Sequence, residues 1–325
     1  MIPPWLQAIV LGVVQGATEF IPISSSGHLV LVPYLVGWPE PGLAFDVALH
    51  MGTAAAVVAY FRAELVAMAK GVIGGGATPE GRLYRRLGLL VALGSVPVAL
   101  AGGLFKDSFE RVFGSPLAVS GFLFVTAAVL VGGERWRDRR VTRGERLGVV
   151  AEPGDARQLW TGDWVGGQAP MAASEPATEL PTGEDPDDPA GATLEQLGPR
   201  HALVVGLCQV VALLPGVSRS GATIVAGLGA GLTREAATRF SFLLALPALL
   251  GAGLLSLPDL AQPGPYSGAA IAGGVVAAFV TGYAAIRWLL ALVAYERLTG
   301  FARWCVFVGV VGLVGYLFLG PPSSA

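Results

Sequence analysis

Cysteine, histidine and charge are what this sequence has least of. Two cysteines, Cys208 and Cys305, stand in separate apolar runs of a 325-residue chain, too few for a disulfide framework or a zinc site. Three histidines, His28, His50 and His201, leave little from which to build a metal cage. Charged residues make up 14% of the chain, against about 25% in a soluble domain. They are also unevenly spread: the segment 134–200 holds 21 of the 44 charges, 8 basic and 13 acidic. The other 258 residues share 23. No water-soluble globule covers its surface at that density, and a net charge of −2 offers no basic face to nucleic acid. A cytosolic enzyme, a disordered chain and a nucleic-acid binder are excluded. The N-terminus MIPPWLQAIV lacks the basic n-region and cleavage site of a signal peptide, so it reads as mature protein.

What is present is apolar sequence. Hydrophobic residues make up 53% of the chain and the mean hydropathy is +0.63. Runs long enough to cross about 30 Å of hydrocarbon fall at 43–61, 87–105, 116–133, 240–257, 268–290 and 301–320. Two further apolar regions, 5–37 and 201–232, are each interrupted by Pro, Gly and hydroxyl residues: FIPISSSGH in the first, LLPGVSRSGAT in the second. Proline breaks the helical ladder, and non-helical backbone survives at membrane depth only where protein or water covers it. Both regions read as re-entrant hairpins, each a pair of short helices meeting at a polar tip.

Basic residues set the orientation. Arg62, Lys70, Arg82, Arg85 and Arg86 crowd the loop 62–86, the start of the 134–200 segment is again basic, and Arg234, Arg239, Arg287, Arg297 and Arg303 flank later spans on the same side. The opposite loops are poor in them, which makes the basic side cytoplasmic. Placing Gln15 on Gln209 also puts Gly12 on Gly206, Ser24 on Ser218, Ser26 on Ser220 and Gly27 on Gly221 without a gap. Each half is a hairpin followed by three spans, so the second copy is inverted. The expected fold is an all-α polytopic membrane protein with an inverted-topology repeat: residues 1–133, a polar cytoplasmic insert 134–200, and residues 201–325. The insert's SEPATELPTGEDPDDPAGAT is too polar to fold alone, and its Trp160 and Trp164 either join a small hairpin or lie on the membrane.

Polar groups inside a membrane are expensive and carry the functional question. Gln15 and Glu19, four apart, share one helix face. Ser24, Ser25, Ser26, Gly27 and His28 follow at the break, and the second break supplies Ser218, Arg219, Ser220 and Thr223. Brought together, these groups combine a carboxylate, an imidazole, a guanidinium, hydroxyls and two helix N-termini, a set suited to a phosphate anion. A Ser beside a His is a minimal activated nucleophile, and a Glu beside the same anion holds a divalent metal or a proton. The implied chemistry is attack on phosphorus. His50, in FDVALHMGT, reads instead as a packed helix residue with Asp46 as a neighbour near the outer mouth; Cys208 and Cys305 read as packing, and His201 as the start of a cytoplasmic segment. A transporter or lipid flippase with the same phosphate site is the competing reading, and a membrane scaffold using the insert as its arm is a third.

The strings LGVVQGATEFIPISSSGHLVL and LLPGVSRSGATI, with FSFLLALP at 240–247, resemble the signature regions of the undecaprenyl-diphosphate phosphatases, also called bacitracin-resistance proteins. The likeness covers most of the chain outside the insert. It implies hydrolysis of undecaprenyl diphosphate to undecaprenyl phosphate, at a site reached from the outer face of the bacterial plasma membrane. By the same resemblance Glu19 binds metal or assists proton transfer, and Ser25 is the nucleophile with His28 as base or acid. It makes Arg219 the phosphate clamp, and has Ser24, Ser26, Ser218, Ser220 and Thr223 supply hydrogen bonds around the substrate. Whether Ser25 or His28 attacks phosphorus stays open at this point. Magnesium or calcium is the expected cofactor, the lipid bilayer the surrounding partner, and a homodimer is left open. Gln15 departs from a Glu at the first motif position, and the long insert is atypical.

Overall fold

The computed structural model describes residues 2–142, 191–256, 264–293 and 297–322. Among them the chain is helical, apart from a single bridge between Ala192 and Leu232. The first half comprises α1 (Pro4–Phe20), α2 (Ser25–Val36), α3 (Leu43–Tyr60), α4 (Arg62–Ile73), α5 (Pro79–Phe113) and α6 (Pro116–Thr142). The second comprises α7 (Pro199–Val211), α8 (Arg219–Ala230), α9 (Arg234–Leu255), α10 (Gly268–Val293) and α11 (Thr299–Leu319). Six helices, α3, α5, α6, α9, α10 and α11, are long and apolar enough to cross a membrane, and they coincide with the six expected runs. Their ends reach further than the apolar windows because charged turns continue a helix at a water boundary: α5 starts at Pro79 and α9 at Arg234.

Two differences from the sequence reading concern polar segments. The loop expected over 62–86 contains α4, whose Met68 is buried and whose Gly71 lies so close to Gly81 and Arg85 of α5 that a methyl group would not fit. Residues 134–142, expected to open the insert, are helical. Helix α6 continues to Thr142, and Glu134 is buried in a two-pronged pair with Arg234 of α9, at 2.9 and 2.7 Å. Glu134 also accepts the backbone N–H of Leu298 ahead of α11, at 2.9 Å, so one carboxylate ties three helices. At the far end Leu197 is fully buried and Ala192 bonds to the turn before α9. The acidic tract expected to be disordered, together with Trp160 and Trp164, lies outside the described residues.

The two broken regions are built alike. Helix α1 stops at Phe20 because Ile21 turns extended and Pro22 has no N–H to continue the ladder. Ser24 then takes φ 69°, the one positive φ at a non-glycine position among the described residues, and its Oγ caps α2 by accepting the Gly27 N–H. In the second region Gly216 makes the turn at φ 96°, and Ser218 Oγ caps α8 by accepting the Gly221 N–H. Both capped helices have 12 residues, about 18 Å of rise, too short to span hydrocarbon. Both end on a left-handed glycine, Gly37 and Gly231.

The long partners of these helices pack in a matching way. Helix α1 lies along α10 and α7 along α5. A methyl group on Gly12 would strike the carbonyl oxygen of Gly274, and one on Gly206 would strike that of Gly94, so both contacts are backbone against backbone. Helix α3 fills the space between α10 and α9, with Phe61 and Phe20 set edge-on to Phe242. These buried rings fix the last turn of α1, where Glu19 stands.

Candidate active site

Glu19 is the hub. It is buried in the last turn of α1, and groups from its own helix, from the start of α2 and from the second broken region meet on it. Its Oε1 accepts from Arg219 at 2.7 Å, across from the other broken region. Its Oε2 accepts from the Ser25 hydroxyl at 2.5 Å and from Gln15 Nε2 at 3.0 Å. The Gln15 contact follows from helical spacing, as expected; the Arg219 contact requires the two breaks to touch.

Hydroxyls sew the breaks together. Ser26 Oγ accepts the Gly216 N–H at 3.2 Å while also approaching Ser24 Oγ at 3.3 Å. From the other side, Ser220 donates to the Ile21 carbonyl at 3.2 Å and approaches Ser218 Oγ at 3.2 Å. Ser24, Ser26, Ser218 and Ser220 therefore hold the elbows in register and leave Ser25 as the serine aimed at Glu19. Thr223 is turned the same way, donating to the Arg219 carbonyl at 2.8 Å and sharing a 2.6 Å bond with Ser241 of α9. A Cβ on Gly27 would press on Leu123 and Ser24 and come within 3.6 Å of Gly216, so this glycine lets the second elbow sit close.

His28, expected to act as acid or base, is held by a hydrogen bond at each ring nitrogen. Its Nδ1 donates to the Ser24 carbonyl at 2.7 Å, and its Nε2 accepts from Trp304 Nε1 at 3.0 Å. Both ring nitrogens are committed, and among the described residues none of its hydrogen bonds goes to Glu19, Ser25 or Arg219. Instead, the imidazole nearest Glu19 is His50, whose Nε2 lies 3.7 Å from Oε2. The sequence does not single out His50, because one His on an apolar helix carries no signal of what it faces. Asp46 does neighbour it, but through the backbone: the Asp46 carbonyl accepts from His50 Nδ1 at 2.7 Å.

Three other supports were invisible in the sequence. Thr126, in the apolar run of α6, donates to the Gly216 carbonyl at 2.8 Å and accepts the Ser218 N–H at 3.0 Å, clamping the second elbow. Ser241 braces Thr223, and Trp304 fixes His28. Cys305, read as packing, is buried with its thiol 3.9 Å from the Pro22 carbonyl, and both cysteines are free.

Two buried polar atoms at this junction, Arg219 NH1 and Gln15 Oε1, find no partner among the described residues, nor do the two amide atoms of Gln209, the position matching Gln15 in the second half. Arg219 thus spends one arm on Glu19 and keeps another directed elsewhere, as a clamp for an anion requires. A resident divalent cation fits the donor set poorly. Among the described residues no three His, Cys, Asp or Glu side chains converge, and both oxygens of Glu19 are already hydrogen-bonded.

A cavity of about 680 Å³ opens beyond α2 and the start of α3. Leu29, Tyr34, Trp38, Glu40 and Asp46 line it, and Asp46 is one helical turn from His50. The cavity therefore lies at the Gly37–Gly42 end of the molecule, one turn of α3 from His50.

The family described as bacitracin resistance protein BacA matches residues 8–153 and 169–311. An undecaprenyl-diphosphatase of Methanosphaera stadtmanae is 35% identical over 95% of this chain and 97% of its own length. Proteins of the same description from Mycobacterium avium and Pelobacter propionicus are 37% and 38% identical, over 95% and 94% of this chain and 96% and 94% of their own. Matched by one family across both of its halves, and by full-length relatives at this identity, the chain belongs to the bacitracin resistance protein BacA family.

Proposed function

We propose that this chain is an integral membrane phosphatase that hydrolyses undecaprenyl diphosphate to undecaprenyl phosphate and inorganic phosphate. The observation that carries the reading is the meeting of Ser25 and Arg219, from two separate breaks, on the two oxygens of one buried carboxylate. Ser25 is the nucleophile, since both nitrogens of His28 are otherwise engaged. Glu19 Oε2 takes the hydroxyl proton as Oγ bonds to the terminal phosphorus. The bond from that phosphorus to the bridging oxygen breaks, and the lipid monophosphate leaves as an oxyanion whose charge Arg219 offsets. His28 acts as a positioning residue that fixes the strained Ser24 turn. The divalent cation, magnesium or calcium, arrives on the diphosphate as part of the substrate.

The membrane arrangement belongs to the same proposal. The two hairpins are re-entrant halves of an inverted repeat. Supporting this are the paired serine caps, the paired left-handed glycines and the paired contacts Gly12–Gly274 and Gly206–Gly94. The site opens to the outer face of the plasma membrane through the cavity beside Asp46, and the polyprenyl tail lies among lipid-facing helices. The decisive experiment uses the protein purified in detergent, with no gradient. Release of inorganic phosphate from a polyprenyl diphosphate, slowed by a chelator, is expected. A carrier without hydrolytic activity releases none, and that result rejects the reading.

A further inference from the structure

Hydrolysis through a phosphoserine needs a second attack, by water, and a group to receive that water's proton. His28 is closed to this role by its two hydrogen bonds. His50 is open to it. The Asp46 carbonyl can only accept, so its 2.7 Å bond to Nδ1 places the neutral ring's proton there and leaves a lone pair on Nε2. That lone pair looks toward Glu19 Oε2 at 3.7 Å, beyond direct hydrogen-bond range. Two facing acceptors are satisfied together by one water that donates an O–H to each. Such a water keeps its own lone pairs for an electrophile.

Position favours the same assignment. Oε2 is the oxygen that Ser25 Oγ approaches at 2.5 Å, so the water stands beside the atom that carries the phosphoryl group. The His50 side chain is 23% exposed against 5% for Glu19, and the turn above it lines the 680 Å³ cavity.

We propose that His50 is a further catalytic residue, which deprotonates the water that hydrolyses the phosphoserine while Glu19, protonated in the first step, returns its proton to Ser25 Oγ. The inference rests on the Ser25 phosphoenzyme reading given above. The water oxygen bonds to phosphorus as the bond from phosphorus to Ser25 Oγ breaks. One water proton goes to His50 Nε2, Ser25 Oγ recovers the proton that Glu19 took in the first step, and inorganic phosphate departs. His50 then returns its proton to solvent through the cavity.

The test is rapid-quench kinetics on the full chain in detergent, with polyprenyl diphosphate labelled at its terminal phosphorus. His50→Ala is expected to lower steady phosphate release about 10²-fold. Label should then accumulate on the protein toward one per chain, and imidazole in the buffer should restore turnover at least about tenfold. His50→Gln keeps the side chain's bulk and a donor for Asp46, and is expected to trap label in the same way if His50→Ala fails to fold. Wild-type turnover in the folded variants overturns the proposal. So does loss of turnover with neither trapped label nor imidazole rescue, the pattern of a structural role. The underlying reading fails differently: Ser25→Ala retains turnover, or the wild-type protein releases no phosphate.

Discussion

The first and second elbows are made to one plan and given opposite chemistry. Each has a serine cap, a second serine two residues on, a 12-residue helix and a left-handed glycine at its end. In the register that pairs their caps, Ser25 corresponds to Arg219, Glu19 to Leu213 and His28 to Ala222. The scaffold is duplicated while the reactive groups are divided. One elbow holds the carboxylate and the serine proposed as nucleophile, and the other holds the cation. Neither half alone is a site, because a buried Glu19 without Arg219 is an unpaired charge.

That division can be broken at several levels. Ser25→Ala is expected to have the largest effect, about 10⁴-fold or more on phosphate release, since it removes the nucleophile while leaving the elbow caps intact. Arg219→Ala follows at about 10²–10³-fold, with Arg219→Lys intermediate because an ammonium replaces a planar fork by a point charge. Near-normal turnover of Arg219→Ala rejects the clamp. Both are read as phosphate release per folded molecule, with size-exclusion profiles checking the fold.

Glu134→Ala sharpens the contrast from outside the site. It leaves Arg234 buried without its two-pronged partner and is expected to cost about 3–5 kcal/mol of stability, measured by unfolding in mixed detergent. Turnover per folded molecule should remain, because Glu134 touches neither elbow. The smallest effect is expected from the caps: Ser218→Ala and Ser24→Ala should each lose about 1 kcal/mol. If the halves are true counterparts the two losses agree, apart from an added penalty at Ser24, where alanine must also hold a positive φ.

The spans were legible because burial in hydrocarbon demands long apolar runs, and six of them were counted correctly from composition. Both breaks were legible because Pro, Gly and serine clusters have no other reason to stand at membrane depth. Gln15 beside Glu19 was legible through helical spacing alone. Thr126, Ser241 and Trp304 were not, since a single hydroxyl or indole in an apolar helix is ordinary until its partner is known. Which histidine faces Glu19 was not legible either. His28 stands next to the serines in sequence, but the turn carries its ring toward Trp304; His50 is 31 positions from Glu19 and meets it only because α3 packs beside α1.

Hydropathy, helix breakers and a repeated motif were thus enough to count the helices long and apolar enough to cross a membrane among the described residues and to place the two breaks. Which oxygen of Glu19 meets which partner was settled by packing. Close glycine contacts bring α1 against α10 and α7 against α5, and hydroxyls cross from one elbow to the other. Such contacts depend on distances between segments far apart in the chain, and no local pattern of residues encodes those.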